Sequence, residues 1–216
     1  MSADSLDALR LQLAPALADA AAFDGWSEEA VRNAADQLGL DRDAAVYAFS
    51  GGPMAMIDAW IASVDAAMVA AFPPEKLAPL KIREKIRTLV QFRLDAIAHQ
   101  KEALRRAQAV MAMPQNVPAA LRLGWRSADA MWRLAGDTAA DYNHYTKRMT
   151  LGSIYAATLA VYVGDSSEGH ADTRAFLDRR IEGIMKFEKA KARFMSKDVE
   201  HFSPARFLGR LRYPAR

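Results

Sequence analysis

Helix-breaking residues gather at a few places in this sequence: Gly25, Gly39, Ser50-Gly51-Gly52-Pro53, Pro73-Pro74, Met113-Pro114, Gly136 and Gly164-Asp165. Between them run long stretches dominated by alanine, leucine, arginine and methionine, all good helix formers. No stretch carries the sustained alternation of Val, Ile and Thr that a half-buried strand needs. The pattern therefore predicts an all-α fold, and 216 residues, half of them apolar, suffice for a real core.

The breaks place the elements. Leu6, Leu9, Leu13, Leu17 and Ala20 recur at helical spacing up to Gly25, and Pro15 predicts a kink or a late helix start. Ser27 reads as an N-cap, Glu28 and Glu29 suit the first turn that follows, and Gly39 is the stop. Val31, Ala34, Ala35 and Leu38 form the expected buried face of this helix. Asp41 caps a third short helix through about Phe49, and a longer one follows from Met54 to Phe72. Lys81 to about Ala112 then predicts one long charged helix. Asn116 is the expected cap of a helix carrying Leu121, Trp125, Ala128, Trp132 and Ala135. Thr138 with Asp141 forms a capping box for a helix to Val163, which is nearly apolar beyond Tyr145 and so should be central. A last long helix is expected from about His170 to Phe194. Three parts result: a head (1–52), a helical bundle (53–196) and a short terminus (197–216).

Charge is distributed unevenly. Met1 to Glu75 holds 3 basic residues against 12 acidic, a net −9, whereas Arg174 to Arg216 holds 12 against 5, a net +7. Only the C-terminal end would seek a polyanionic surface. The absence of cysteine excludes disulfides, thiol nucleophiles and thiolate zinc sites. The first residues carry Asp4 and Asp7 and no apolar core, so neither a secretory signal nor a transit peptide is expected. The longest uncharged run, Met149 to Gly164, falls short of the roughly 20 residues needed to span a bilayer.

Ser27 to Phe49 has the layout of a helix-turn-helix and resembles the head of TetR repressors, including the Tyr47-x-Phe49 pair that ends their recognition helix. A DNA reader needs Arg, Lys, Asn or Gln at base edges and cations for phosphates. Here Arg42 stands alone between Asp41 and Asp43, and Gly52 occupies the place where TetR repressors commonly carry a lysine. A net −9 over Met1 to Glu75 repels a phosphate backbone. The head is expected to be an inherited scaffold with no nucleic-acid partner; the rival reading is a TetR-type ligand-responsive regulator.

Four motifs occur in order: Met113-Pro114-Gln115-Asn116-Val117-Pro118, Asp129 to Asp137 (DAMWRLAGD), Asp141 to Arg148 (DYNHYTKR) and Ala175 to Ile181 (AFLDRRI). Together they resemble the ubiquinone-biosynthesis accessory family, which joins a TetR-like fold to a lipid pocket. The resemblance implies a TetR-like architecture, an N-terminal helix-turn-helix-like head followed by a larger ligand-binding bundle. It also implies a homodimer that binds an isoprenoid lipid or quinone intermediate and assists a ubiquinone-pathway hydroxylase at a membrane surface. The expected location is cytoplasmic, peripheral on the cytoplasmic face of the inner membrane.

By periodicity alone the Met and aromatic residues of the later helices fit plain core. The resemblance assigns Trp125, Trp132, Met149, Tyr155, Leu159 and Tyr162 to a lipid pocket. It assigns Met131, Asp137, Asp141, His144 and Tyr145, beside Trp132, to a partner patch. The family usually has tryptophan where this chain has His144, which reduces the contact area. At the terminus, Phe207, Leu208 and Leu211 share a helical face ringed by Arg206, Arg210 and Arg212, an interfacial membrane-binding pattern; the alternative is an unstructured basic tail. None of the four histidines (His99, His144, His170, His201) lies in a Glu-x-x-His pair, and no phosphate loop or nucleophile elbow occurs. No catalytic residue, metal or cofactor is expected.

Overall fold

The structure, a computed structural model, describes residues 3–138 and 142–196. Every regular element among them is helical: α1 (Ala3–Asp24), α2 (Glu28–Leu38), α3 (Arg42–Ala48), α4 (Pro53–Ala71), α5 (Pro74–Leu77), α6 (Ile82–Ala96), α7 (Lys101–Met111), α8 (Val117–Leu134), α9 (Tyr142–Gly164) and α10 (Ala171–Ser196). The all-α expectation holds. The chain divides into two compact units, Met1–Leu177 and Asp178–Arg216. The division expected after residue 52 falls inside the first unit, where α1 packs on α2, α4 and α7.

Local chemistry explains most element ends. Ser27 Oγ accepts from Ala30 N, Asp41 Oδ1 accepts from Ala44 N, and Gly39 ends α2 in the left-handed region at φ +64°. Pro15 neither delays nor starts a helix but sits inside α1. Leu38, expected in the buried face with Val31, Ala34 and Ala35, is instead exposed at the last turn.

The long helix expected over 81–112 is broken. α6 stops at Ala96, and a 3₁₀ turn, Ala98–Gln100, re-aims the chain into α7. Gln100 at this break is buried, accepts from Trp60 Nε1 (2.8 Å), and donates to the Pro15 carbonyl (3.2 Å) and Asp19 Oδ1 (2.7 Å). Asn116 also departs from expectation: its side chain donates to the Val110 carbonyl (2.8 Å), closing the end of α7 rather than opening α8. Between α9 and α10, Asp165 accepts from the backbone N–H and the hydroxyl of both Ser167 and Thr173. Those four donors hold its carboxyl far below the ordinary carboxylate range.

α4 is long and apolar enough by length and composition to cross a membrane. In this fold it is the central packing element. Its Ile57, Trp60, Val64 and Met68 are buried, and it contacts α1, α6, α7 and α8. α8 and α9 lie against each other and complete the wall that α4, α6 and α7 begin.

Candidate ligand cavity

Helices α4, α6, α7, α8 and α9 enclose a cavity of about 670 Å³. It is the size of a small-molecule site and overwhelmingly apolar. The sequence explains why it stays open. Gly124 on α8 and Gly152 on α9 both line it; a Cβ built at Gly124 would meet nothing within 4 Å, whereas one at Gly152 would meet α8 at the Gly124 carbonyl (3.7 Å) and Ala128 Cβ (3.9 Å). At one end stand fully or nearly buried residues: Trp60, Ile97, Leu104, Ser127 and Tyr155. At the other, Leu121 is 70% exposed and Met149 64%, with Val117 beside them. The exposed end is a mouth rimmed by hydrocarbon, which a soluble helix normally keeps inward.

Four of the six residues expected at a lipid pocket stand in this wall: Trp125, Met149, Tyr155 and Leu159. Trp132 and Tyr162 do not. The Trp132 indole N–H donates to the Lys147 carbonyl (3.0 Å), and Lys147 Nζ lies 5.4 Å from the ring centroid, outside the cavity. Tyr162 is fully buried, and its hydroxyl donates to the Leu94 carbonyl (3.0 Å). Burial, with Asp95 and Asp165 nearby, pushes its phenol up to about 12.

At the start of α9 lies an ion-pair knot. Arg148, 2% exposed, donates to Asp129 Oδ1 (2.6 Å) and Asp137 Oδ2 (2.9 Å), and Lys147 bonds Asp137 Oδ1 (2.6 Å). Burial opposes the charge on Asp137, yet the hydrogen bonds from Lys147 and Arg148 hold its carboxyl below the ordinary range. Burial likewise opposes the Arg148 charge, and its bonds to Asp129 and Asp137 outweigh it.

This changes the expected partner patch. Met131 is 0% exposed, packed in the core because it lies on the inner face of α8, and cannot touch a partner. The Asp137 side chain is 5% exposed and already bound twice. Tyr145 remains exposed, with His144 against it (5.2 Å between rings) and Trp125 behind both (5.9 and 6.1 Å). Asp141 lies outside the described residues, as do Arg206, Phe207, Leu208, Arg210, Leu211 and Arg212.

Sequence reasoning missed Arg93, a cavity residue buried at 2% exposure. The signal was present: Ile86, Leu89, Val90, Leu94 and Ile97 are the buried stripe of α6 and the turn beyond it, and position 93 lies on that stripe. In the head, all three cations are engaged by acids or backbone. Arg10 bonds Asp7 and the Ala48 carbonyl, Arg32 pairs with Glu28, and Arg42 grips Asp36 through Nε and Nη2. The one candidate base reader is thus held by a carboxylate of α2.

A model of the COQ9 family matches residues 117–188, which begin at α8 and include α9. Relatives include the mitochondrial ubiquinone biosynthesis protein COQ9 of Rattus norvegicus, 35% identical over 168 residues, covering 74% of this chain and 54% of that protein. The Homo sapiens counterpart is 33% identical over 74% of this chain and 52% of its own length. The chain spans about half the length of the curated relatives it matches. Among solved structures, a TetR transcriptional regulator from Nitrosomonas europaea ATCC 19718 matches with a TM-score of 0.62, over 81% of this chain and 97% of that one. At 24% identity that likeness establishes the TetR-like fold alone.

Proposed function

We propose that this chain, which carries a COQ9-family domain over residues 117–188 on a TetR-like helical fold, is a lipid-binding accessory protein of ubiquinone biosynthesis and not itself an enzyme. It would take up a polyprenylated quinone intermediate at a membrane surface and pass it to a membrane-associated hydroxylase. One observation carries the reading: an apolar cavity of about 670 Å³ with a hydrocarbon-rimmed mouth, walled largely by the two helices α8 and α9 that the family model matches. Such a cavity suits a flexible prenyl chain, and Met111 and Met149 in its wall can adapt to one. The basic terminus around Arg206 to Arg212 would hold the protein to anionic lipid, and Tyr145 with His144 would meet the hydroxylase.

The protein, incubated with anionic vesicles carrying a prenylated quinone and then recovered, is expected to appear by native mass spectrometry as a homodimer with quinone bound. Gly124→Phe should fill the cavity from the α8 side, where a side chain has open space. It is expected to weaken quinone binding at least about tenfold by steric exclusion, with stability held or raised by up to about 1 kcal/mol because a helical glycine is replaced. A wild-type protein that returns empty would sink the reading.

On this reading the head is scaffold. Its net charge of −6, from 9 acidic and 3 basic residues over 1–52, and the engaged Arg42 support that assignment. A salt-dependent DNA titration should show no sequence-specific binding, and low-micromolar specific affinity would restore the regulator reading.

A further inference from the structure

The cavity wall is mostly apolar; its polar side chains include Arg93, Gln108, Ser127, Arg148, Ser153 and Tyr155, and of the buried ones Ser127 and Tyr155 lie beside Arg93. Arg93 pairs through Nη1 with Asp65 and donates from Nη2 to Ser127 Oγ (3.1 Å), and its Cζ lies 5.0 Å from the Tyr155 ring centroid. Burial works against its charge, and Tyr155 and Asp65 beside it more than restore it. Its Nε–H is buried and has no hydrogen-bond partner among the described residues. Asp65 Oδ2 is also buried without a hydrogen bond, with Arg126 Nε 3.8 Å away. Buried donors in native proteins are nearly always satisfied, so an unsatisfied one on a residue that lines a cavity calls for an acceptor.

We propose that Arg93, with Ser127 and Tyr155 beside it, anchors an uncharged acceptor oxygen on the ring of a prenylated ligand. The ring then sits at the buried end while the tail runs toward Leu121 and Met149 at the mouth. This inference rests on the reading of the cavity as an isoprenoid site and deepens it by naming the head group. Charge decides the class. Asp65 already balances the Arg93 guanidinium, and Asp129 and Asp137 balance Arg148, the other cation in the wall. A carboxylate ligand would therefore bring an uncompensated buried charge. A quinone carbonyl or phenol oxygen accepts from the Nε–H and adds none.

The test uses the full chain and three probes with the same prenyl tail: a benzoquinone, a hydrocarbon without oxygen, and a carboxylic acid. The wild type is expected to bind the quinone roughly tenfold more tightly than either of the others. Arg93→Lys keeps a cation for Asp65 but removes the Nε–H, and should bind quinone and hydrocarbon alike at the wild-type hydrocarbon affinity. If that variant does not fold, the pair Arg93→Met with Asp65→Leu, which leaves no lone buried charge, gives the same readout. Equal quinone and hydrocarbon affinity in the wild type, tightest binding of the acid, or an undiminished quinone preference in the variant overturns the anchor while leaving the cavity reading intact. Failure of all three probes to bind the wild type removes the cavity reading and the anchor with it.

Discussion

Replacing Arg148 by methionine is expected to destabilise the protein by about 3 kcal/mol, measured by urea denaturation near neutral pH, with little change in the denaturant slope. The side chain is 2% exposed and serves two carboxylates, Asp129 and Asp137, with side-chain exposures of 19% and 5%. Methionine fills similar space but leaves both acids short of a cation. Lys147 and Arg133 still reach one oxygen each, which keeps the loss at the lower end of the range for a broken buried pair. Adding Asp137→Asn to Arg148→Met should recover part of the loss, because it removes a carboxylate the knot can no longer neutralise. Full additivity of the two changes would show that the groups are not coupled. The pH profile has a defined sign. Asp137 has a folded-state pKa below its ordinary 3.8, so the stability it contributes is complete above that value and is lost as pH falls through the lowered one. The gap between wild type and Arg148→Met should therefore narrow on acidification below about pH 4.

Trp60→Ala is expected to cost about 3–5 kcal/mol. The indole is 4% exposed and stacks at a tilt on Trp26 (5.3 Å between centroids). Its N–H is the donor to Gln100 Oε1, so truncation strands a buried acceptor as well as removing apolar area. Trp60→Phe, which keeps most of the ring but no donor, separates the two contributions. It should cost about 1–2 kcal/mol, near the value of one buried hydrogen bond. A Trp60→Phe variant as unstable as Trp60→Ala would mean that the Gln100 bond, not packing, dominates. Thermal unfolding followed by far-ultraviolet circular dichroism suffices for both.

Most of the fold was legible because helix ends leave local marks. Ser27, Gly39 and Asp41 announce α2 and α3 through chemistry contained within a few residues. The break between α6 and α7 was not legible: the glutamine there bonds residues 40, 81 and 85 positions away, which no local pattern announces. The candidate site divides in the same way. Trp125, Met149, Tyr155 and Leu159 could be placed by resemblance alone, since their spacing fits plain core equally, and they line the cavity. Trp132 and Tyr162 share that periodicity, yet each indole or phenol proton found a distant carbonyl, and no periodicity reveals such a pairing. The surface expected at Met131 and Asp137 failed for a related reason: a charged motif on paper became a desolvated knot once α8 and α9 came together.

The Gln100 junction carries a last consequence. One buried amide fastens α1 of the head to α4 beside the cavity, and Trp60, its other partner, belongs to the cavity wall. Whatever else it binds, the head therefore cannot be trimmed away at leisure. Cut at residue 52, the chain would forfeit the Pro15 carbonyl, the Asp19 carboxylate and the Trp26 ring at once, and the wall they brace would sag. In this fold the helix-turn-helix-like head buttresses the cavity wall through Gln100 and Trp60.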